Sequence, residues 1–160
     1  MRAILDYCGG GLLREVAPTA ILIREGERTG HLFVLVEGRL EVVKGDTVVA
    51  TLTEPGAIVG EMSALLGQPY TATVRAPVSS KVYQFSDPEA FFRSQPEVAL
   101  LVARMLAQRL NVATTYLADI KRQYAGHGSH LAMVGDVLEC MINSPASTVA
   151  PGSDRADPRM

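Results

Sequence analysis

The stretch 60–76, GEMSALLGQPYTATVRA, has the clearest chemical potential in the chain, because a strand end, a tight turn, a short helix and a further strand follow one another closely. Gly60 permits close approach of a ligand to the backbone. Backbone amides at the start of the predicted helix, Met62–Leu66, can point at an anion, which helix polarity favours without any charged side chain. Such an arrangement is able to accommodate a small, negatively charged group.

The other residue patterns in the chain give little support for a metal site or a catalytic site. Two of the three histidines, His127 and His130, follow the β-rich part of the chain, so with His31 they do not provide the clustered ligands of a cupin-type metal barrel. Gly128 also interrupts the helix that their spacing would need. No Ser/His/Asp or Cys/His arrangement emerges, and Cys8 lacks an identifiable activating base. We therefore expect no catalytic residue and no metal site.

Composition and charge narrow the remaining functions. The 160 residues include 15 Lys and Arg against 17 Asp and Glu, and the net charge of −2 argues against a dedicated nucleic-acid binder. Cys8 and Cys140 lie far apart, which fits a reducing compartment better than a disulfide framework. Asp6 interrupts the first apolar patch, unlike a secretory signal, and no window approaches the ~18 apolar residues of a membrane span. We expect one soluble, cytoplasmic domain with no membrane contact.

The residues from about 20 to 85 form short runs rich in Val, Leu, Ile and Thr, which glycine or proline signals separate, as in HLFVLVEG and TVVATLTEPG. In EGRLEVV, alternation predicts that Leu40 and Val42 face one side of a strand and that Glu41 and Val43 face the other. Strands that recur at spacings of about ten residues indicate a sandwich or barrel.

Helical signals follow the β-rich part. Asp87 is a good N-cap and Pro88 suits a first helical turn, so PEAFFRS is predicted as a short helix. Pro96 can begin a longer helix with two apolar stripes. The first stripe contains Ala99, Val102, Leu106, Leu110, Ala113, Leu117, Ile120 and Tyr124, and the second contains Val98, Leu101, Met105 and Val112. Such a helix can pack one stripe on the barrel and the other on a second copy, although one chain can also bury both.

The last part of the chain is predicted as an amphipathic helix, 131–142, capped by Ser129, and a mobile tail after Asn143 that is rich in proline and small polar residues. This helix could cover the barrel, cross to a partner subunit or dock another protein, and its apolar face alone does not choose among these roles.

Taken together, these elements resemble the cyclic nucleotide-binding domain family. Residues 60–76, called the cassette below, are similar to its phosphate-binding cassette, and IREGERTGHLFVLVEGRLEV is similar to its first strands with their spaced glycines. The segment PEAFFRSQPEVALLVARMLAQRL looks like the hinge and dimerisation helices of the bacterial cyclic-nucleotide receptor and oxygen-sensor regulators. The resemblance covers about residues 18–124 and implies a non-catalytic regulatory or sensor module for cyclic AMP or cyclic GMP, with no cofactor required.

The resemblance also implies which residues bind the nucleotide. Glu61 matches the family carboxylate that accepts a hydrogen bond from the ribose 2′-hydroxyl, although an acidic residue also suits an ordinary helix start. Arg109 and Thr114 lie where the receptor regulators place polar residues towards the base, or else belong to an exposed helix face. The implied ligand-binding set is Gly60, Glu61, Met62, Ser63, Ala64, Tyr70, Thr71, Arg109 and Thr114.

Tyr70 departs from the family pattern, because an arginine normally occupies this position and grips the cyclic phosphate through a forked pair of hydrogen bonds. A tyrosine offers one neutral hydroxyl, and loss of a charge-assisted contact costs about 1.5–3 kcal/mol, or roughly ten- to over a hundredfold in affinity. Arg75 is expected at the surface, because in a regular strand it faces away from the side that carries Tyr70, Ala72 and Val74. Only a β-bulge would change that parity. We expect weakened or lost nucleotide binding.

The predicted fold is mainly β with C-terminal α-helices: a double-stranded β-helix (jelly-roll-like) barrel followed by a hinge and a long dimerisation helix. Its parts are an N-terminal segment and β-roll with the cassette (1–87), the hinge and long dimer helix (88–125), an additional amphipathic helix (126–143) and a disordered tail (144–160). We expect a homodimer, and the sequence also allows a protein partner that it does not identify. Specific DNA binding is not expected, because one helix and a tail after Tyr124 do not supply a helix-turn-helix domain.

The main alternative is a degenerate family member that binds no nucleotide and acts as a constitutive protein-interaction or dimerisation unit. A Tyr70 ring that fills the cavity between the cassette and the barrel would favour this alternative, whereas an open polar cavity would favour a different small anion.

Overall fold

The computed structural model describes residues 2–123 and the isolated positions 134, 137 and 139. The chain forms two compact units, Met1–Met105 and Leu106–Met160. Apart from those three positions, the predicted helix 131–142 lies outside the described residues, and so does the whole tail 144–160.

Within residues 2–123, the chain forms eight β-strands, and every pairing between them is antiparallel. One sheet has the strand order β1-β8-β3-β6 and the other has the order β2-β7-β4-β5. The strands are β1 (Leu12–Val16), β2 (Ile21–Ile23), β3 (Leu32–Glu37), β4 (Leu40–Lys44), β5 (Thr47–Leu52), β6 (Ile58–Val59), β7 (Thr73–Arg75) and β8 (Ser80–Phe85). This arrangement confirms the predicted jelly-roll-like β fold.

The β-rich part begins earlier than the sequence predicted. β1 pairs with β8 along its full length, from Leu12 opposite Gln84 to Val16 opposite Ser80, and a 3-10 helix, Arg2–Gly10, precedes it. The prediction that strands begin near residue 20 was wrong, because LLREV gives no alternating signal: its first four residues are exposed and only Val16 is buried.

Buried side chains from both sheets form one apolar core. Its members are Val16, Ile23, Phe33, Leu35, Leu40, Ala57, Val59, Tyr70, Val74, Ala76 and Val82. In β4 the buried residues are Leu40 and Val43, whereas alternation predicted Leu40 and Val42. The register of β4 against β5 shifts between Val42 and Val43, and such a β-bulge changes which face the following residue occupies.

The short helix after the barrel is confirmed. Helix α2, Pro88–Ser94, follows α1 (Glu61–Leu66), which lies inside the cassette. The Asp87 carboxylate accepts a hydrogen bond from the Ala90 amide at 2.9 Å, as an N-cap does. The buried ring of Phe91 stacks on Phe85, with 3.9 Å between the ring centroids. The cap starts α2, and the stacked rings hold it against the end of β8.

The long helix α3, Pro96–Gln123, begins where the sequence predicted. Its buried residues are Val98, Val102 and Met105, so they come from both predicted stripes, and the division into one buried and one free stripe is wrong over these turns. The spacing of four and then three residues explains this, because it places all three side chains on one face. Among the described residues, no helix combines the length and apolarity needed to cross a bilayer.

Cys8 is a buried structural thiol. Its side chain has no exposed surface, and its Sγ donates a hydrogen bond to the Ile4 carbonyl at 3.3 Å. Burial raises the pKa of the Cys8 thiol from 9.0 to about 11, because the thiolate would lose its hydration. The thiol is therefore protonated near neutral pH and unsuited to nucleophilic attack.

We expect Cys8 to make the free energy of unfolding fall as pH rises from 9.0 towards about 11. The stabilisation is complete below this window, because both states keep the proton there; within it, the unfolded thiol ionises while the folded thiol does not. In a Cys140→Ser background, urea unfolding at about pH 8 and about pH 10.5 should show an extra loss of about 1–2 kcal/mol relative to a Cys8→Ala version. Equal losses with and without Cys8 would contradict this assignment.

Candidate functional site

The cassette runs from the end of β6 through α1 to β7. Helix α1 begins at Glu61, one residue before the predicted start, and Gly60 is its N-cap with φ of 89°. Gly67 ends the helix with φ of 63°, and its amide donates to the Ser63 carbonyl at 3.0 Å. Both glycines take a left-handed conformation that other residues adopt at a cost, so glycine sets the two ends of this short helix.

Gly60 also packs tightly against the loop between β2 and β3 (residues 24–31). A Cβ atom on Gly60 would lie 2.5 Å from the His31 carbonyl oxygen and 3.5 Å from Cε1 of Tyr70. No side chain fits there without movement of the loop backbone. The absence of a Cβ at position 60 therefore lets the cassette touch this loop directly.

The side chains of α1 divide into a buried and an exposed group. Glu61 and Ser63 are buried, Ala64 is partly buried and Met62 is exposed. The Ser63 hydroxyl donates to the Gln68 carbonyl and so closes the turn that follows the helix. Of the side chains implied on α1, Glu61 thus places a carboxylate inside the unit, whereas Met62 offers its side chain to solvent.

Tyr70 lies in the barrel core with only 4% of its surface exposed. Its hydroxyl donates to the His31 carbonyl at 2.8 Å. Because this bond uses the only phenolic proton, the Thr29 hydroxyl, 2.9 Å away, is the donor in the second contact. The backbone of Tyr70 is bound as well: its amide donates to Glu27 at 2.9 Å, and its carbonyl accepts from Gly26 at 2.8 Å.

The structure therefore places a neutral, internally bonded phenol where the resemblance implies a phosphate-binding arginine. The ring is part of the apolar core, and the phenolic proton is already engaged. Tyr70 can supply neither a positive charge nor a free donor to an incoming anion in this conformation.

Arg75 does not replace the missing cation. Its side chain is 46% exposed, and Nε and Nη2 each lie 2.8 Å from Oε2 of Glu41. The predicted surface position is confirmed, but the parity argument was wrong for Tyr70, because β7 contains only Thr73–Arg75. Position 70 precedes the strand, so alternation along the strand does not govern it.

The remaining implied residues are Thr71, which is exposed in the cassette, and two positions on α3. Arg109 and Thr114 both follow Leu106, where the second unit begins. Thr114 Oγ1 bonds within its own helix, to the carbonyls of Leu110 at 2.9 Å and Asn111 at 3.0 Å. The implied residues from Gly60 to Thr71 thus lie in the first unit, whereas Arg109 and Thr114 belong to the second.

The loop contacts of Tyr70 were missed from the sequence. His31 was considered only as a metal ligand, yet its backbone carbonyl accepts the phenolic proton, and its Nδ1 lies 3.2 Å from Nε2 of Gln84. Thr29 belongs to none of the motifs found in the sequence. A backbone acceptor has no signature in residue types, so this contact required three-dimensional information. Across the part of the chain that the structure describes, no three His, Cys, Asp or Glu side chains converge as a metal site would require.

Comparison with known proteins agrees with the barrel and the cassette. The family model described as "Cyclic nucleotide-binding domain" matches residues 13–94, from β1 to the end of α2. The chain is 30% identical over 104 residues to a cyclic nucleotide-gated potassium channel of Mesorhizobium japonicum, covering 64% of this chain and 28% of the channel. It is 33% identical over 147 residues to the Pycsar effector protein XpPycTIR of Xanthomonas perforans, covering 88% and 48% respectively. The chain therefore spans less than half of each relative.

The fold also resembles a solved structure, the catabolite activator protein of Thermus thermophilus. The TM-score is 0.64 at 19% sequence identity, and the match covers 89% of this chain and 82% of that one. At this identity the likeness concerns the fold alone. It extends the agreement beyond the barrel to the helical part of the chain.

Substitution of Gly60 should destabilise the protein more than substitution of Gly67. Both residues have positive φ, but a Cβ at position 60 would meet the His31 carbonyl at 2.5 Å, whereas nothing lies within 4 Å of one at position 67. Gly67→Ala should cost about 1 kcal/mol, and Gly60→Ala should cost roughly 2 kcal/mol more. Urea denaturation of the two variants measures the difference, and equal costs would show that the cassette does not press on the β2–β3 loop.

Proposed function

Since this chain belongs to the cyclic nucleotide-binding domain family, we propose that it is a non-catalytic regulatory module with weakened affinity for cyclic AMP or cyclic GMP. The observation that carries the proposal is the environment of Tyr70. This residue stands where the family places its phosphate-binding arginine, and its hydroxyl is bound by the loop between β2 and β3.

The cost of this replacement follows from the chemistry of the ligand. A cyclic phosphate carries a negative charge, and a forked arginine binds such a group through two charge-assisted hydrogen bonds. Their loss removes about 1.5–3 kcal/mol. A site of micromolar affinity would thereby move by about ten- to a hundredfold, towards the hundred-micromolar range or beyond.

Other parts of the cassette support residual binding. The buried carboxylate of Glu61 is a candidate acceptor for the ribose 2′-hydroxyl. The amides at the start of α1 favour an anion irrespective of position 70. These features support weak binding rather than a change of ligand class.

A second candidate is a constitutive interaction unit that binds no nucleotide. The specific observation in its favour is that Tyr70 satisfies its own hydrogen-bonding needs inside the core, with contacts to Thr29 and His31. A buried tyrosine removes on the order of 150 Å² or more from water. In this alternative the ring occupies the space of a ligand permanently, and the module stays assembled without one.

The proposal includes a homodimer formed through α3. Leu110 is 45% exposed, and Ala113 and Leu117 continue its stripe, which a second copy could cover. Helices with such a stripe commonly pair across a two-fold axis. Oligomer formation through this stripe would keep the barrel and cassette of each copy intact.

The first test is the replacement of Tyr70 by arginine. Calorimetric titration of the wild type with cyclic AMP and cyclic GMP should give a Kd above about 100 μM, and Tyr70→Arg should bind at least about tenfold more tightly. Tyr70→Gln is the matched control, because it removes the ring without adding charge, and a melting curve verifies that each variant is folded. Unchanged affinity in Tyr70→Arg would contradict the role of position 70. A dimeric wild type without binding at millimolar nucleotide would favour the constitutive unit.

The second test concerns the stripe on α3. Sedimentation equilibrium should report a dimer for the wild type, and the double variant Leu110→Asp/Leu117→Asp should be monomeric, because paired charges in a desolvated seam are costly. Thr115→Asp is the control, since Thr115 is exposed and lies on the opposite side of the helix. A dimer that resists the double substitution would contradict the proposed interface.

A further inference from the structure

A cavity of about 350 Å³ lies between the β2–β3 loop, helix α1 and the start of α2. Arg28 comes from the loop, Ser63 and Gln68 come from the cassette, and Ser86 and Glu89 come from the region around the N-terminus of α2. None of these residues belongs to the barrel core, and Gly60, Glu61 and Tyr70 are absent from the lining. The cavity therefore shares Ser63 and Ala64 with the site that the family resemblance implies, but it lacks the three residues argued above to contact the nucleotide.

The uncompensated charge in this cavity is that of Arg28. Arg28 forms no ion pair within residues 2–123, whereas Arg24 on the same loop lies 3.9 Å from Glu27. The two acidic residues of the lining already have partners. The Asp87 carboxylate caps α2, and the Glu89 carboxylate binds Arg93 at 2.7 and 3.1 Å. An anionic group would thus find one available cation in the cavity.

Two neutral residues of the lining add further donors to the cavity of Arg28. The amide of Gln68 and the hydroxyl of Ser86 have no hydrogen-bond partner among the described residues, and both face the same cavity as Arg28. A guanidinium, an amide and a hydroxyl are three separate donor groups. A phosphate monoester has three terminal oxygens and can use all of them, whereas a carboxylate has two.

The volume of the cavity and its acidic residues further restrict the class of ligand that it can bind. About 350 Å³ is near the lower end for small-molecule sites, so it suits one sugar-sized group. The acidic residues Asp87 and Glu89 also line the cavity. They disfavour a second anionic group but can accept hydrogen bonds from hydroxyls.

We propose that this cavity binds a small phosphorylated polyol, such as a sugar phosphate, with its phosphate at Arg28, Gln68 and Ser86 and its hydroxyls towards Asp87 and Glu89. The proposed phosphate contacts involve neither position 70 nor any residue of the implied nucleotide-binding set. Ser63 and Ala64 belong to α1, so the occupant also contacts the helix of the cassette.

Titration of the isotope-labelled protein with ribose 5-phosphate, followed by NMR amide shifts, tests this proposal. Saturable shifts should appear around Gly30, Gly67 and Ser86, with a Kd below about 1 mM. Arg28→Gln should weaken binding at least about tenfold, because it removes the charged donor. Arg24→Gln is the matched control, an exposed arginine on the same loop that is absent from the lining, and it should change the Kd by less than about twofold.

Four outcomes would overturn the proposal. The first is the absence of saturable shifts at millimolar ligand, and the second is an equal loss in both arginine variants, which would indicate attraction by general surface charge. The third is equally tight binding of inorganic phosphate, which would remove the polyol from the ligand class. Competition by cyclic AMP in the Tyr70→Arg variant would likewise overturn it, since the two sites would then be one. If the sugar phosphate binds while Tyr70→Arg gains no nucleotide affinity, the function proposed for the cassette fails and the cavity stands.

Discussion

The carbonyl oxygen of His31 is the point on which the arrangement of the cassette depends. It accepts the buried hydroxyl of Tyr70 at 2.8 Å, and it would lie 2.5 Å from any Cβ on Gly60. A buried phenol without an acceptor would cost about 1–3 kcal/mol, and a side chain at position 60 would push the same carbonyl away. Hydrogen bonding at one residue and close packing at the other therefore hold the cassette and the β2–β3 loop together at a single atom.

The residue at position 70 affects how strongly the folded state of the barrel depends on a bound ligand. An arginine in the same core position would bring a charge into apolar surroundings, and such a charge is costly until an anion pairs with it. A bound phosphate would pair with that charge, and it would therefore stabilise the folded state as well as occupy the site. The hydroxyl of Tyr70 instead forms its hydrogen bonds within its own chain, with His31 and Thr29. On this physical ground, the folded state of the barrel relies on a ligand less than an arginine-bearing relative would.

The elements that the sequence predicted best are those whose signals are local. Asp87 and Pro88 specify the start of α2, because a cap and a proline act within one helical turn. Strand β1 and the burial of Val43 were missed, since pairing with β8 and a register shift are properties of two strands. For the same reason, the sequence singled out Tyr70 but not its acceptor, a backbone carbonyl 39 positions away.

The two candidate binding regions differ in how they are coupled to folding. Gly60 and Tyr70 serve the core and the cassette at once, so a change at either alters stability together with any binding. Arg28, Gln68 and Ser86 are exposed and have no internal side-chain partners among the described residues, so they contribute little to the folded state. Internal packing and hydrogen bonding do not account for three donor side chains on the lining of one cavity. A bound oxyanion would account for them, because it gives all three donors an acceptor at one place.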